Sequence, residues 1–102
     1  MTYQLVLQWP ASSINDYDTM ILVEDALIDG LSNQAEVDGH DGGSGEVNIF
    51  ILVHDPAAIF ERIKTILNDC DLWSDVRIAY RHVEGNEYMI LWPKNLKTFG
   101  VL

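Results

Sequence analysis

The sequence predicts an α+β domain in which two helices cover one face of an antiparallel sheet. Some segments place apolar residues at every second position, which is typical of strands, and others place them three and four residues apart, which is typical of helices. These segments follow one another as strand, helix, strand, strand, helix, strand, strand. The order matches a split β-α-β arrangement with one strand added at the C-terminus, and right-handed crossovers put both helices on one face.

Length and composition indicate one soluble domain spanning residues 1–102, in which residues 93–102 form a short tail. A chain of 102 residues can bury one modest core, and 48% of these residues are hydrophobic. No apolar run reaches the roughly 18 residues that a membrane helix needs. The one cysteine, Cys70, excludes an intramolecular disulfide, which favours a reducing cytoplasm.

One strand and both helices are clearly marked. The first strand is expected over residues 3–9, because its residues alternate between two sides. One side has Tyr3, Leu5, Leu7 and Trp9, and the other has Gln4, Val6 and Gln8. Apolar residues at helical spacing predict the first helix over about residues 14–29, and Gly30 is a suitable C-terminal stop. The second helix is expected over residues 56–69, because Asp55 can cap its N-terminus and the proline that follows fits the first helical position.

Two further strands are expected near the C-terminus, over residues 76–81 and 87–92. Gly85 and Asn86 between them are typical of a two-residue hairpin turn, and Pro93 ends the last strand. In the resulting sheet we expect the spatial order 5-4-1-3-2, counting strands along the chain. In the last strand, alternation places three residues on the helix-facing side: Tyr88, Ile90 and Trp92.

A glycine-rich turn joins two alternating arms between Glu36 and Val53. The turn, residues 41–45, contains three glycines that accept positive φ angles, as a tight or bulged hairpin requires. Because side chains alternate along a strand, Asp38 and His40 are expected to share one face. A slip of one residue in the register would turn His40 inward.

The best candidate for a chemical site on this hairpin consists of Asp38, His40 and Glu46. Carboxylates and an imidazole can exchange protons or coordinate metals, so they suit acid–base catalysis or a divalent ion such as Mn²⁺, Fe²⁺ or Zn²⁺. Asp41 and Asn48 lie close to them in the sequence. The alternative is a solvated turn with a charged rim, because acidic glycine-rich turns are common without any site. No organic cofactor is indicated.

The sheet face without helices is the second candidate surface. It is expected to run from arginines on the fourth strand to carboxylates on the second, with apolar residues between them. An apolar strip with a polar rim is typical of a protein interface, and a two-fold dimer could bring the acidic edge of one copy to the basic edge of the other. We therefore expect a homodimer, with a monomer or a face reserved for a different protein as the alternatives. The candidate binding residues are Asp41, Asn48, Phe50, Leu52, Arg77 and Arg81.

The charge of the chain is strongly negative and unevenly placed. The net charge is −10, and residues 1–61 contain eleven Asp or Glu but no Lys or Arg, whereas residues 62–102 contain all six basic residues. Such a chain is expected to repel nucleic-acid phosphates and acidic membranes, because these bind clustered Lys and Arg. A protein with a basic surface fits as a partner. The alternative is that the acidic surface serves solubility alone.

Three short segments of the hairpin make a recurrent pattern: Asp38-Gly39-His40-Asp41, Gly43-Ser44-Gly45-Glu46 and Asn48-Ile49-Phe50-Ile51. The pattern resembles one found in small uncharacterised bacterial proteins of about this size. This resemblance covers a small part of the chain, and it implies a ferredoxin-like plait and a bacterial cytoplasm. It implies no activity and transfers no catalytic residue to this chain.

Taken together, the sequence favours a non-enzymatic interaction or regulatory module that acts through the open sheet face and the hairpin of residues 36–48. An inhibitor or immunity-type protein that covers a basic surface fits the charge. The alternative is a small metal-dependent or acid–base enzyme centred on Asp38, His40 and Glu46. A sensor that binds a small ligand between the first strand, the first helix and the tail is a third hypothesis.

Overall fold

The computed structural model describes residues 2–14, 17–43 and 45–101. Its elements are β1 (Tyr3–Pro10), α1 (Tyr17–Leu31), β2 (Ala35–Gly43), β3 (Glu46–Val53), α2 (Pro56–Asp69), β4 (Arg77–His82) and β5 (Met89–Trp92). The predicted α+β class is confirmed: the described residues form two α-helices and one antiparallel sheet of five strands in the order β2-β3-β1-β4-β5. In the described ranges, no helix is long and apolar enough to cross a membrane.

One buried core joins both helices to the sheet residues that face them. The indole N–H of Trp9, which is buried there, donates a hydrogen bond to the carbonyl oxygen of Leu72 at 2.9 Å. Burial of these side chains is the main favourable contribution to folding. The fully buried members of the core are Leu5, Leu7, Trp9, Leu27, Leu31, Ile49, Ile51, Ile63, Leu67 and Ile78.

The helix α2 occupies the residues that the sequence predicted. Pro56 is its first residue, where the missing backbone N–H removes no helical hydrogen bond. The side chain of Asp55 accepts a hydrogen bond from the backbone N–H of Ala58 at 3.2 Å. This cap satisfies one of the free donors at the N-terminus of the helix and fixes where α2 begins.

The helix α1 does not stop at Gly30, as the sequence suggested, but runs on to Leu31. A Cβ atom at Gly30 would collide with the side chain of Ile66 on α2, so this position lets the two helices approach closely. The Nε of Arg62 donates a hydrogen bond to the carbonyl oxygen of Gly30 at 2.8 Å. The glycine is therefore a packing residue between the helices.

A β-bulge in β2 changes the faces that the hairpin residues occupy. The register shifts between Val37 and Gly39, which leaves Asp38 as the extra residue. Gly39 has a φ angle of 136°, in the region that favours glycine. Beyond the bulge, His40 pairs with the buried Ile49 and therefore lies on the helix-facing side. This corrects the expectation that Asp38 and His40 share the open face.

The connection between β4 and β5 is a longer loop than the predicted two-residue turn. The backbone N–H of Gly85 donates to the carbonyl oxygen of His82 at 2.9 Å, and β5 begins only at Met89. One guanidinium nitrogen of Arg81 donates to the carbonyl oxygens of His82, Val83 and Gly85 at 3.1, 3.0 and 2.9 Å. Arg81 therefore holds the loop in shape.

A second register irregularity changes the faces of the β5 residues. Trp92 pairs with Ile78 on the helix-facing side, where its ring stacks on Trp73 with the centroids 5.1 Å apart. Ile90 pairs with Ala79, whose position in β4 belongs to the opposite face. The prediction that Ile90 and Trp92 share the helix-facing side is therefore wrong, because the register shifts between their partners.

The tail after β5 lies against the sheet face opposite the helices. The Nε2 of Gln8 donates a hydrogen bond to the carbonyl oxygen of Gly100 at 2.9 Å, and the rings of Tyr88 and Phe99 have centroids 5.0 Å apart. Val6, in the middle of this face, is fully buried. The chain itself thus contributes cover to a face that the sequence suggested was open.

Candidate functional site

His40 contacts α1 on the helix-facing side of the hairpin. Its Nδ1 lies 2.7 Å from Oε1 of Glu24, and its ring centroid lies 6.3 Å from that of Tyr17. The side chains of His40 and Glu24 are 33% and 13% exposed, so the carboxylate is the better shielded of the two. The contact ties the hairpin to α1, and protonation of the imidazole makes it an ion pair.

Glu46 lies on the other face of the sheet from His40. Its Oε1 accepts a hydrogen bond from Nε2 of Gln8 at 3.2 Å, and its Oε2 lies 3.8 Å from Nη2 of Arg77. Asp38, the bulge residue, is exposed. The three residues proposed for catalysis or metal binding are thus not brought together. In the part of the chain that the structure describes, no group of three or more His, Cys, Asp or Glu is placed to hold a metal.

Glu46 belongs instead to a buried polar cluster centred on Gln8, which we call the Gln8 cluster. Gln8 and Asn48 are 1% and 2% exposed, and Nε2 of Gln8 donates to Oδ1 of Asn48 at 3.0 Å as well as to Glu46 and Gly100. Among the described residues, no buried side-chain polar atom lacks a hydrogen-bond partner. The Gln8 cluster is satisfied within the chain, so its role is to hold the tail on the sheet.

The six residues proposed to bind a partner share the face opposite the helices, but they differ in accessibility. Asn48 is buried in the Gln8 cluster, and Arg81 holds the β4–β5 loop. The others are half-buried or, in one case, exposed. The complete set is Asp41 (exposed), Asn48 (buried), and Phe50, Leu52, Arg77 and Arg81 (half-buried).

Two exposed apolar residues of α1 and a half-buried one form a stripe on the flank of the helix beside β2, whereas Leu22, which is 69% exposed, lies on another side of the helix. Tyr17, Ile21 and Ile28 are four and seven residues apart, so they project from one side of the helix, together with Glu24. Tyr17 is 69% exposed and Ile28 is 52% exposed. The sequence contains a signal for this stripe, because α1 has more apolar residues than one core-facing stripe requires.

A surface cleft of about 670 Å³ continues this stripe toward β2. Ile28 lines it from α1, Ala35 and Val37 line it from β2, and Val53 lines it from β3. Among the strands that the structure describes, β2 forms one edge of the sheet and pairs with β3 alone. We call the outer edge of β2, the flank of α1 with Tyr17, Ile21 and Ile28, and this cleft the α1–β2 groove.

Cys70 is a free, half-buried thiol just after α2. Burial raises the pKa of the Cys70 thiol, and the carboxylate of Asp69 raises it further. A raised pKa keeps the thiol protonated at neutral pH, and a protonated thiol is a poor nucleophile. Cys70 is therefore a packing residue, in agreement with its place beside the core.

Comparison with known proteins assigns this chain to no family. No family model matches the sequence, and no curated protein matches it. Among solved structures, the chain is similar to the C-terminal domain of the MgtC protein from Mycobacterium tuberculosis. The two are 15% identical, the similarity covers 78% of this chain and 84% of that one, and the TM-score is 0.41. A similarity this remote carries no argument about function.

Proposed function

We propose that this chain is a non-enzymatic, acidic protein-interaction module that binds its partner through the α1–β2 groove and the adjoining hairpin. The observation that supports the proposal best is an edge strand of nine residues lying beside an exposed apolar flank of α1. Apolar surface rimmed by charged residues is typical of interaction sites. An inhibitor or immunity-type role, in which the module covers a basic surface of its partner, is consistent with the net charge of −10.

The alternative, an enzyme centred on Asp38, His40 and Glu46, has less support from the geometry. An acid–base pair or a set of metal ligands must reach a common point within hydrogen-bond or coordination distance. Here His40 contacts Glu24 on one side of the sheet, and Glu46 contacts Gln8 on the other. A divalent ion held by all three proposed residues would require a rearranged hairpin.

We propose another protein with a basic surface as the partner, because Glu36, Asp38 and Asp41 all lie exposed along β2. The homodimer expected from the sequence stays a prediction. Pairing two β2 edges would align carboxylates of both copies, and like charges facing each other across strands are destabilising. Sedimentation velocity of the purified chain distinguishes a monomer of 11.6 kDa from a species of twice that mass.

We also propose that the fold is a ferredoxin-like plait with one added strand and that the protein works in the cytoplasm. The strand order, with β4-β1-β3-β2 extended by β5, supports the first proposal. The single free cysteine, Cys70, is consistent with the second, because disulfide bonds do not accumulate in a reducing compartment.

Site-specific photo-crosslinking in cells that produce the protein tests the proposed interaction. A photoreactive amino acid is placed at Tyr17 in the groove or, as a matched exposed control, at Val83 in the β4–β5 loop. We expect discrete adducts of higher mass from position 17 and none from position 83. Equal adducts from both positions, or none from position 17, would overturn the proposal that the groove is the binding surface.

A further inference from the structure

Among the described strands, none pairs with the outer edge of β2. The strand spans Ala35–Gly43 and pairs with β3 on one side only. In the described part of the chain, no backbone hydrogen bond outside the β2–β3 ladder involves these residues. A row of unpaired N–H and C=O groups on an edge strand is a template on which another extended segment can pair.

The two faces of this edge differ in chemistry. On the helix side, the groove offers apolar surface from Tyr17 and Ile28. On the opposite side, Glu36 pairs with Leu52 and Asp41 pairs with Asn48, so both carboxylates project from the face without helices. Because side chains alternate along a strand, a segment added beside β2 would present apolar residues to α1 and the remaining residues to the carboxylates.

The charge of the edge determines which segment can be added. Glu36, Asp38 and Asp41 are exposed, and no Lys or Arg occurs in residues 1–61. The carboxylates disfavour a second copy of the same strand, and they attract Lys or Arg side chains. An edge protected against self-association by a bulge and acidic residues is thus still complementary to a basic strand.

From these observations we infer that the α1–β2 groove binds an extended segment of another protein in which apolar residues alternate with Lys or Arg, and that this segment adds a strand to β2. The inference rests on the proposed function, since it specifies how the interaction module holds its partner. Backbone hydrogen bonds to β2 supply much of the affinity, and the apolar and acidic sides of the groove select the sequence.

A peptide of alternating Lys and Val, about six residues long as in a typical strand, is a direct probe. It is titrated into the ¹⁵N-labelled full chain while amide NMR signals are followed. We expect saturable shifts in β2 and in the flank of α1 that carries Tyr17 and Ile28. The same peptide with N-methyl groups at alternate residues cannot donate along that edge, and we expect no saturable binding from it. A Glu/Val peptide is also expected not to bind.

Charge variants test the acidic side of the groove. Glu36→Lys combined with Asp41→Lys should weaken binding of the Lys/Val peptide about tenfold, because two attractive contacts become repulsive. Glu84→Lys combined with Glu87→Lys changes the net charge by the same amount on the loop before β5, and this control should bind like the unaltered chain. Equal weakening by both double variants would show a bulk charge effect and would overturn the assignment of the acidic side.

The outcomes separate this inference from the proposed function. Binding of the N-methylated peptide as tightly as the plain one, or shifts outside β2 and α1, would overturn strand addition. The absence of any saturable binding would also overturn it. Crosslinks from position 17 would still support the groove as an interaction surface in those cases. If such crosslinks are absent as well, both the inference and the proposed function fail.

Discussion

The two edges of the sheet differ in length and in the contacts of the residues beside them. On one side, β2 has nine residues, and no described strand pairs with its outer backbone. On the other, β5 has four residues, its Trp92 stacks on Trp73, and a loop held by Arg81 precedes it. Short edge strands and nearby loops are ways in which proteins limit edge-to-edge association. The β5 edge therefore offers a shorter backbone than the β2 edge, and we propose the β2 edge as the one that takes a partner.

The two edges of the sheet also differ in the charges of the residues near them. Arg77 and Arg81 are on β4, next to β5, whereas the exposed residues of β2 include Glu36, Asp38 and Asp41. The Oε2 atom of Glu46 is 3.8 Å from Arg77, so part of the basic side is already neutralised within the chain. Residues 1–61, which include β2, contain no Lys or Arg that could neutralise the carboxylates of this edge. For this reason we expect a basic partner there.

The largest expected effect is on the β5 side. Trp92→Ala removes a ring that stacks on Trp73 and lies near Phe60, and we expect it to lower the free energy of unfolding by about 3 kcal/mol. Val37→Ala on the open edge should lower it by about 1 kcal/mol. Urea denaturation of both variants measures the difference. Equal losses would contradict the view that the β5 side is the more strongly anchored.

The next effect concerns the tail that lies against the sheet. Gln8→Leu leaves the side-chain Oδ1 of Asn48 and the backbone carbonyl oxygen of Gly100 without their buried donor. We therefore expect a loss of about 2 kcal/mol in the free energy of unfolding and sharper NMR signals for residues 96–101, because the tail becomes more mobile. Gln4→Leu, on the same face but outside the Gln8 cluster, should change stability by roughly 0.5 kcal/mol or less. A tail that stays ordered in Gln8→Leu would rule out this anchor.

A smaller effect is expected at the bulge on the open edge. Gly39→Ala places a Cβ atom at a φ angle of 136°, and we expect it to cost about 1–2 kcal/mol through backbone strain alone, since no atom lies within 4 Å of that Cβ. Gly42→Ala is the matched control, with equal space and an unstrained φ, and should be nearly neutral. Similar stabilities for the two variants would mean that the bulge does not need glycine.

The smallest effect is expected for the contact between the hairpin and α1. His40→Ala removes a partly exposed partner of Glu24, so the loss of stability should stay below about 1 kcal/mol. Glu24→Gln should produce a loss of similar size, and the double variant should lose less than the sum of the two. Additive losses would indicate that the 2.7 Å contact is not present in solution.

The sequence predicted those elements whose signals are local. The helix α2 is an example. Asp55 and Pro56 mark its start, and its apolar residues recur at helical spacing as far as its end. The α+β class followed from the order of such segments. Gly30 was misassigned because a glycine near a helix end suggests a stop, whereas the need for it arises from Ile66, which is distant in sequence.

The site could be predicted only in part because each bulge reverses the alternation beyond it. Asp38 is the extra residue of the β2 bulge, so the shared face expected for Asp38 and His40 was lost, and with it the proposed cluster. Gly39, a glycine within a strand pattern, was the available signal. The contact of Gln8 with Gly100 joins residues 92 positions apart and has no local signal at all.

Amide hydrogen exchange along β2 tests the central claim most directly. It is measured by NMR for the full chain alone and with a saturating amount of the Lys/Val peptide. We predict that alternate amides of Ala35–Gly43, those on the outer edge, exchange rapidly in the free chain and become protected when the peptide is bound. Outer amides that are already protected in the free chain, or that stay unprotected with the peptide bound, would contradict the account of β2 as an open edge that accepts a strand.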